Sequence, residues 1–310
     1  MARVSLVTGA AGFAGSHLVE HLLEHDAEVA AWSNPSSRTA PAEDSRVRWR
    51  AVDLLDRDAV AREIAALRPG AVYHLAGLAD VAASWTKPER SLRINALGTS
   101  HLLDAVAKAG LDCPVLVTGS ALVYEQSANA IAEDSRIGPS SPYGLSKLAQ
   151  EMLAVSAALP RVLIARPFNH AGPRQSDAYV TSSFARQIAE AEAGRREPVL
   201  RVGNLESRRD ITDVRDTVRA YRATMERGTA RRPYNVCSGI AYRIRDLLDS
   251  LIALARIQVR VESDPARMRP SDNPVVLGDN SRIRTEVGWS PRIGMDQTLR
   301  DLLAYWRLNA

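Results

Sequence analysis

Short runs of β-branched and apolar residues alternate with amphipathic stretches through the first half of the chain. The runs have the length of buried strands, and the stretches between them carry apolar residues three and four positions apart, as helices do. Strands separated by helices imply right-handed crossovers, so we predict an α/β fold built on a doubly wound parallel sheet. The predicted strands are 3–9, 27–33, 46–54, 71–77, 114–120 and 161–167. The predicted helices are 15–24, 57–67, 92–109 and 143–158.

The regular alternation of strand and helix patterns ends after residue 167, where loop-forming residues (FNHAGPRQ) lead into shorter elements. We predict from them a smaller, discontinuous second lobe. Its predicted elements are helices at 182–193, 244–254 and 295–306 and strands at 199–203 and 258–261, while a βα-like unit at 219–237 returns the chain to the sheet between them. The predicted division is a sheet domain of 1–168 with 207–238 and a smaller lobe of 169–206 with 239–310.

The charge of the chain is mildly basic and scattered. Lys and Arg number 40 against 36 acidic residues, for a net charge of +4 and a pI of about 9.3. No Lys/Arg block with interleaved aromatic residues is present, so we expect no nucleic-acid partner. Charges alternate in sign over 207–222, which predicts an exposed helix there.

Sequence features that accompany export or membrane attachment are absent. No apolar run approaches the roughly 20 residues needed to span a bilayer, and the first strand begins at Arg3, where a signal peptide would stand. Cys113 and Cys237 are solitary and far apart, which is typical of reduced thiols. We therefore expect a cytoplasmic protein without a membrane partner.

A glycine-rich loop, TGAAGFAG, connects the first strand to the first helix. Gly9 permits a tight turn, Gly12 allows a pyrophosphate to approach the backbone, and Gly15 allows close helix–sheet packing. Amides at the start of the helix can receive phosphate charge. The loop, including Phe13, is therefore predicted to bind a dinucleotide in a Rossmann-type fold, and the sheet domain is the predicted dinucleotide-binding domain.

The end of the second strand bears on which dinucleotide is bound. Ser33 and Asn34 stand where many NAD-binding folds have an acidic residue, and Arg38 follows closely. A guanidinium can pair with a 2′-phosphate, so NADP(H) is favoured and NAD remains possible. Asp53 and Leu54, at the end of the third strand, either meet the adenine or, in the case of Asp53, cap the next helix.

Tyr143 and Lys147 are one helical turn apart and leave the same face of a predicted helix. Lys147 is one of only three lysines in the chain. A neighbouring ammonium favours the phenolate, so we expect the pKa of Tyr143 to be lowered. A compact ammonium can also reach ribose hydroxyls, and Ser120, at the end of the fifth strand, can hold the same substrate oxygen as Tyr143.

His17, His21 and His25 recur at helical spacing on the first helix. Such spacing can bind a metal ion, but Leu18 and Leu22 must face the core and no carboxylate or Cys partner is evident. We interpret the row as a solvated helix face and expect no metal.

Together these motifs resemble the extended short-chain dehydrogenase/reductase family. The resemblance rests on TGxxGxxG, HLAG at 74–77, INALGT, the Tyr143/Lys147 pair, RPFNHAGP at 166–173 and RRDITDV at 208–214. It implies that Leu75, Ala76 and Gly77 contact the cofactor and that Asn95 anchors a proton-relay water. It also implies a homodimer in which helices 92–109 and 143–158 of two subunits form a four-helix bundle.

Within that family, the segments RPFNHAGPRQ, RVGNLESRRDITDVRD and RMRPSDNPVVLGDN resemble the GDP-4-dehydro-6-deoxy-D-mannose reductases. The resemblance implies a nucleotide-sugar substrate, with the smaller lobe as its binding lobe. Two guanidiniums suit a diphosphate. The substrate contacts it implies are Ser84, Asn169, Arg186, Arg209 and Arg269.

The residues after Ser120 distinguish reaction types within the family. Dehydratases of the family place an acidic residue two positions after the catalytic hydroxyl, whereas this chain has Leu122. Elimination of water lacks its acid/base group, so we predict NADP(H)-dependent reduction of the C4 ketone of GDP-4-dehydro-6-deoxy-D-mannose. A nucleotide-sugar 4-epimerase that retains NAD is the alternative. A non-catalytic cofactor-sensing protein is less favoured, because such a protein can dispense with the Tyr–Lys pair.

Overall fold

The computed structural model describes residues 4–25, 28–36, 44–267 and 273–310. The strands are β1 Ser5–Thr8, β2 Val29–Ser33, β3 Val47–Ala51, β4 Ala71–His74, β5 Val115–Thr118, β6 Val162–Pro167, β7 Asn169–Ala171, β8 Val199–Val202, β9 Arg208–Asp213, β10 Pro233–Val236, β11 Ala241–Arg243, β12 Arg260–Ser263 and β13 Val275–Val276. The α-helices are α1 Phe13–Leu23, α2 Arg57–Leu67, α3 Val81–Thr86, α4 Pro88–Leu92, α5 Gly98–Lys108, α6 Pro142–Ser156, α7 Val180–Glu192, α8 Val214–Arg227, α9 Ile244–Ala253 and α10 Met295–Asn309.

Seven strands form one parallel sheet in the order β3-β2-β1-β4-β5-β6-β10. The chain passes outward from β1 to β3 and then returns to add β4 on the other side of β1. This reversal opens a crevice at the carboxyl ends of β1 and β4, where α/β sheets bind ligands. The predicted doubly wound parallel sheet is confirmed.

Both faces of the sheet are covered by helices, which explains why its strands read as continuous apolar runs. On one face, Leu18 and Leu22 of α1 pack with Val218 and Tyr221 of α8. On the other face, α2, α5 and α6 cover the sheet through a second cluster of buried side chains. That cluster includes Val60, Ile64, Leu102, Val106 and Ala154.

Smaller sheets lie beyond the main one. Strand β9 pairs with β7, β11 and β13, and β8 pairs with β12. Helices α7, α9 and α10 enclose a separate core around Ile188, Leu248 and Leu302. The segment carrying Ile283 and Trp289 instead packs into the cluster beneath the main sheet.

The segment 207–222 is not the exposed helix that its alternating charges predict. Residues Arg208–Asp213 form β9, and α8 begins only after Asp213, whose side chain caps it by accepting from the amide of Arg215. Asp213 and Asp216 are buried and pair with Arg215 and Arg219. Periodic charge here marks buried carboxylates that pair with partly exposed arginines of α8, which a sign pattern alone does not distinguish from a solvated face.

Within the described parts of the chain, no helix is both long and apolar enough to cross a membrane.

Candidate active site

A cleft of about 440 Å³ opens at the carboxyl ends of β1, β4, β5 and β6. Its walls come from segments far apart in the chain. The predicted residues that line it are Gly9, Gly12, Phe13, Gly15, Leu75, Gly77, Ser120, Tyr143, Lys147, Asn169 and Arg209.

Two positions of the glycine loop require glycine for steric reasons. Gly9 has φ +70°, and a Cβ there would lie 2.7 Å from the backbone N and Cα of Ala76. A Cβ at Gly15 would lie 2.1 Å from the carbonyl oxygen of Gly9. No side chain caps the N-terminus of α1, so the amides of its first turn are available to an anion. The loop therefore fits the diphosphate of a dinucleotide.

The end of β4 forms a second backbone wall of the cleft. The side chain of Asn95 holds the turn after Gly77: its Oδ1 accepts from the amide of Leu78 at 2.8 Å and its Nδ2 donates to the carbonyl of Leu78 at 3.1 Å. A Cβ at Gly77 would lie 2.7 Å from Asn95 Oδ1. Asn95 itself is buried in a π-helical turn, Arg93–Leu97, so its predicted contact with a relay water stays a prediction. Ala76 donates its amide to Thr8 Oγ1.

Helix α6 presents Tyr143 and Lys147 to the cleft from its first turns. Ser141 caps the helix by accepting from the amide of Gly144, and Pro142 occupies its first position. The hydroxyl of Ser84 accepts from the amide of Tyr143 at 3.2 Å. Ser84 is thus buried beneath the helix start and does not line the cleft, although it was predicted as a substrate contact.

Ser120, just beyond the end of β5, lies beside Tyr143, and both residues line the cleft. Ser120 accepts from the amide of Leu122 at 3.1 Å, which fixes its rotamer at the end of β5. Burial raises the pKa of Tyr143 to about 12. The expectation of a lowered pKa is wrong for this arrangement, because loss of hydration outweighs the lowering effect of the neighbouring Ser120.

Lys147 is buried, and its ammonium donates to two neutral acceptors. Its Nζ lies 2.8 Å from the carbonyl oxygen of Thr118 and 2.8 Å from Oε1 of Gln150. Burial lowers the pKa of Lys147 to about 8. At neutral pH the group therefore remains mostly charged, next to a phenol that is fully protonated.

Of the residues predicted to contact the adenosine half of the cofactor, Asn34, Asp53 and Leu54 do not line the cleft. Asn34 is exposed and its Oδ1 accepts from the amide and hydroxyl of Ser36. Asp53 accepts from the amide of Leu55, while Asp56 caps α2, so the alternative of an Asp53 cap is wrong. Leu54 is buried, and its side chain lies against Gly98. Arg38 lies outside the described residues.

Among the predicted substrate residues that the structure describes, some line the cleft and others do not. Asn169 and Arg209 line the cleft, and burial lowers the pKa of Arg209. Arg186 does not line it: its guanidinium pairs with Asp177 and Glu190 and lies over the ring of Trp306. Arg269 lies outside the described residues.

Several cleft residues were not identified from the sequence. Tyr179 and Val180 lie at the rim where α7 begins, and Tyr221 of α8 reaches the cleft from below the sheet. No local pattern distinguishes them from ordinary helix positions. His170 stood inside a quoted motif but was assigned no role; its ring stacks on Phe13 at 5.6 Å between centroids.

The histidine row of α1 differs from the solvated face that its spacing predicts. His17 is buried, with Nε2 2.9 Å from the carbonyl oxygen of Pro173 and Nδ1 2.8 Å from a guanidinium nitrogen of Arg174. Ligand atoms of His21, Glu24 and His25 lie within 4.8 Å of one another. Burial and the neighbouring cations of α8 lower the pKa of His21 to about 4, and the same cations oppose a metal ion.

Comparison with known proteins agrees with this geometry. The family described as GDP-mannose 4,6 dehydratase matches residues 6–302. The chain is 38% identical over 306 residues to GDP-6-deoxy-D-mannose reductase of Pseudomonas aeruginosa, covering 97% of this chain and 96% of that protein. This similarity confirms the predicted resemblance.

Two solved structures are also similar. RMD from Pseudomonas aeruginosa complexed with NADPH has a TM-score of 0.87 at 35% identity, with 99% of this chain and 100% of that one covered. UDP-glucose 4-epimerase with UDP-glucose from Thermotoga maritima has a TM-score of 0.86 at 26% identity, with coverages of 98% and 99%. From its glycine loop to its Tyr–Lys helix and over nearly its whole length, this chain is therefore a member of the GDP-mannose 4,6-dehydratase family.

Proposed function

We propose that the protein is an NADPH-dependent oxidoreductase that reduces the C4 ketone of GDP-4-dehydro-6-deoxy-D-mannose. One observation carries the proposal: Ser120 and Tyr143 line the same cleft as Lys147 and the glycine loop. The similarity to a relative named GDP-6-deoxy-D-mannose reductase supports the choice of substrate.

In this proposal Tyr143 donates its proton to the ketone oxygen. The phenol carries that proton at neutral pH because burial raises its pKa to about 12. Ser120 holds the same oxygen, and Lys147 contributes positive charge and a donor for ribose hydroxyls. When bound, the reduced nicotinamide supplies the hydride to C4.

The cofactor fits the residues present. The uncapped start of α1 and the close contacts around Gly9 and Gly15 suit a diphosphate, and Leu75 and Gly77 offer a flat wall beside Lys147. The structure of RMD from Pseudomonas aeruginosa was solved with NADPH, which supports the preference for NADP(H). NAD remains an alternative cofactor, since epimerase-like neighbours bind it.

Leu122 supports reduction over dehydration. It lines the cleft and is 40% exposed, at the position where the dehydratases of the family carry an acidic side chain. A leucine neither accepts nor donates a proton, whereas reduction of a ketone needs, besides the hydride, only one proton donor, which is the phenol of Tyr143.

The proposal is tested by mixing the protein with NADPH and GDP-4-dehydro-6-deoxy-D-mannose and following loss of NADPH absorbance. We expect steady oxidation of NADPH and a Tyr143→Phe variant with kcat reduced by roughly 10²–10⁴-fold, as for loss of a general acid. NADPH affinity of the variant should change little, because Tyr143 acts on the substrate. A wild-type protein that leaves NADPH unoxidised, or a Tyr143→Phe variant with full kcat, contradicts the proposal.

The alternative is a nucleotide-sugar 4-epimerase, supported by the structural similarity to UDP-glucose 4-epimerase. An epimerase regenerates its cofactor in each cycle and retains it. Copurifying NAD that survives gel filtration, together with interconversion of 4-epimers without net NADPH loss, would favour the epimerase.

We propose that the sheet domain, 1–168 with 207–238, holds the cofactor and that 169–206 with 239–310 hold the sugar nucleotide. Support comes from the cleft, which is lined both by the glycine loop of the first part and by Asn169 and Val276 of the second.

We propose also that two copies associate through the helices 92–109 and 143–158. Apolar side chains stand exposed along both helices, which favours burial against a second copy. They are Leu92, Leu97, Leu145, Met152 and Leu153. A cytoplasmic location is proposed from the two cysteines, Cys113 and Cys237, which are buried thiols.

A further inference from the structure

Gln150 lies one turn beyond Lys147 on α6 and is completely buried. Its amide has one acceptor and one donor group, and both are used. Oε1 accepts from Lys147 Nζ at 2.8 Å, and Nε2 donates to Thr99 Oγ1 at 3.0 Å. Because an ammonium can only donate, the amide oxygen must face Lys147 and the nitrogen must face Thr99.

The hydrogen bonds continue from Thr99 to the first strand. The hydroxyl of Thr99 donates to the carbonyl of Asn95 at 2.6 Å, so it accepts from Gln150 and from Nε2–H of His74 at 2.7 Å. Nδ1 of His74 then accepts from the hydroxyl of Thr8 at 2.7 Å. His74 is neutral at physiological pH, since burial and Lys147 lower its pKa to about 3.

These hydrogen bonds leave one N–H of the Lys147 ammonium available to a ligand in the cleft. Among the described residues, Nζ contacts two acceptors, Thr118 O and Gln150 Oε1, while an ammonium has three donors. Nζ also lies close to Gly77, because a Cβ built there would be 3.6 Å away. No carboxylate contacts Nζ among the described residues. Its two neutral acceptors therefore both orient the ammonium and stabilise its positive charge.

We propose that Gln150 is a positioning residue for Lys147: anchored through Thr99 and His74 to β1, it aims the third N–H of the ammonium into the cleft and stabilises its charge. The proposal rests on the proposed function only in naming the ribose of NADPH as the group that this N–H meets. A purely structural Gln150 would affect stability but neither the proton affinity of Lys147 nor cofactor binding.

The test uses the small number of lysines. With ¹³C-labelled lysine, the full-length protein gives Cε signals from Lys87, Lys108 and Lys147 alone, and Lys87 and Lys108 are exposed. The Lys147 signal is assigned by its loss in Lys147→Arg, and its pH midpoint is measured without cofactor or sugar. We expect a midpoint near the pKa of about 8 that burial produces in the wild type.

Two substitutions should move this midpoint in opposite directions. Gln150→Met keeps the side-chain length but removes the acceptor, so the midpoint falls; Gln150→Glu puts an anion beside the ammonium, so it rises. Thr99→Val lowers the midpoint less than Gln150→Met, and adding it to Gln150→Met has no further effect. NADPH, titrated by fluorescence quenching, should bind Gln150→Met roughly tenfold more weakly, as for loss of a hydrogen bond to a charged group.

The matched control is Gln187→Met. Gln187 is also a buried helical glutamine with its amide engaged, by Ser183 and by the backbone of Arg201, and it does not line the cleft. It should leave the Lys147 midpoint and NADPH affinity unchanged. Equal midpoints in the wild type, Gln150→Met and Gln150→Glu, or the same shift in Gln187→Met, would overturn the proposal. Failure of the wild type to oxidise NADPH would overturn the proposed reaction but not this assignment.

Discussion

Burial acts in opposite senses on the two groups that define the site. It raises the pKa of Tyr143 to about 12 and lowers that of Lys147 to about 8, because in both cases it disfavours the charged form. At neutral pH the pair therefore consists of a neutral phenol and a mostly charged ammonium. This is the combination that proton donation to a ketone requires, beside a positive charge that holds the cofactor.

The pH dependence of activity follows from the lower of these two values. As pH rises through about 8, Lys147 loses its proton, and with it the charge proposed to hold the ribose. We expect kcat/KM for NADPH to fall on the alkaline side of pH 8, while Tyr143 keeps its proton until much higher pH. Steady-state rates measured on both sides of pH 8 check this, with thermal stability followed in parallel. A rate that rises across that range would show that deprotonated Lys147 is the active form.

At the scale of elements, the site depends on how closely one strand–turn–helix unit packs. Gly9, at the turn, lies against Ala76 of the neighbouring β4 connection, and Gly15 lies against the carbonyl of Gly9. The turn thus brings the start of α1 to the sheet edge without a side chain between them. Asn95 holds the turn after β4 in place through its two hydrogen bonds to the backbone of Leu78.

Gly15→Ala tests this packing. Its Cβ would lie 2.1 Å from the carbonyl oxygen of Gly9, so either α1 or the turn must move. We expect the free energy of unfolding to fall by about 1–3 kcal/mol, as for overpacking, and NADPH binding to weaken strongly. Urea denaturation and NADPH titration measure the two effects. Gly294→Ala is the control, since a Cβ there meets nothing within 4 Å; equal losses in both variants would contradict the steric explanation.

At the scale of the whole molecule, the cleft and the exposed apolar face lie on different parts of the surface. The cleft collects residues from segments between β1 and β13, whereas α6 and the residues Leu92 and Leu97 before α5 carry exposed apolar side chains that do not line it. Met152 is 65% exposed at the centre of this face. Burial of such a face against a second copy would remove apolar area from water.

The dimer is tested by Met152→Glu. A carboxylate placed in the proposed four-helix interface is buried without a partner, so we expect the mass in light scattering to fall from dimer to monomer. Leu308→Glu is the control, because Leu308 is 87% exposed at the other end of the chain and outside this face. Wild-type protein that is already monomeric, or a Leu308→Glu variant that dissociates equally, would refute the bundle.

Local pattern predicted most of the main sheet and its helices. The helix predicted at 57–67 is α2, Arg57–Leu67, and the first six predicted strands are β1 to β6. The short strands β7, β11 and β13 were missed, because two or three residues carry no periodicity. The predicted division into lobes stays a prediction; β9 pairs within the smaller sheets, and Ile283 packs beneath the large one.

The sequence by itself determined the alternation of strands and helices in the first half of the chain, the glycine turn, and the shared face of Tyr143 and Lys147. Each of these depends on neighbours within a few positions, through apolar periodicity, glycine sterics or helical spacing. Only the tertiary structure decided that Ser84 lies beneath α6, that Arg186 pairs with other side chains, and that Gln150 is anchored to Thr99. These outcomes, and the direction of the Tyr143 pKa, depend on burial and on contacts between distant segments, which no local pattern encodes.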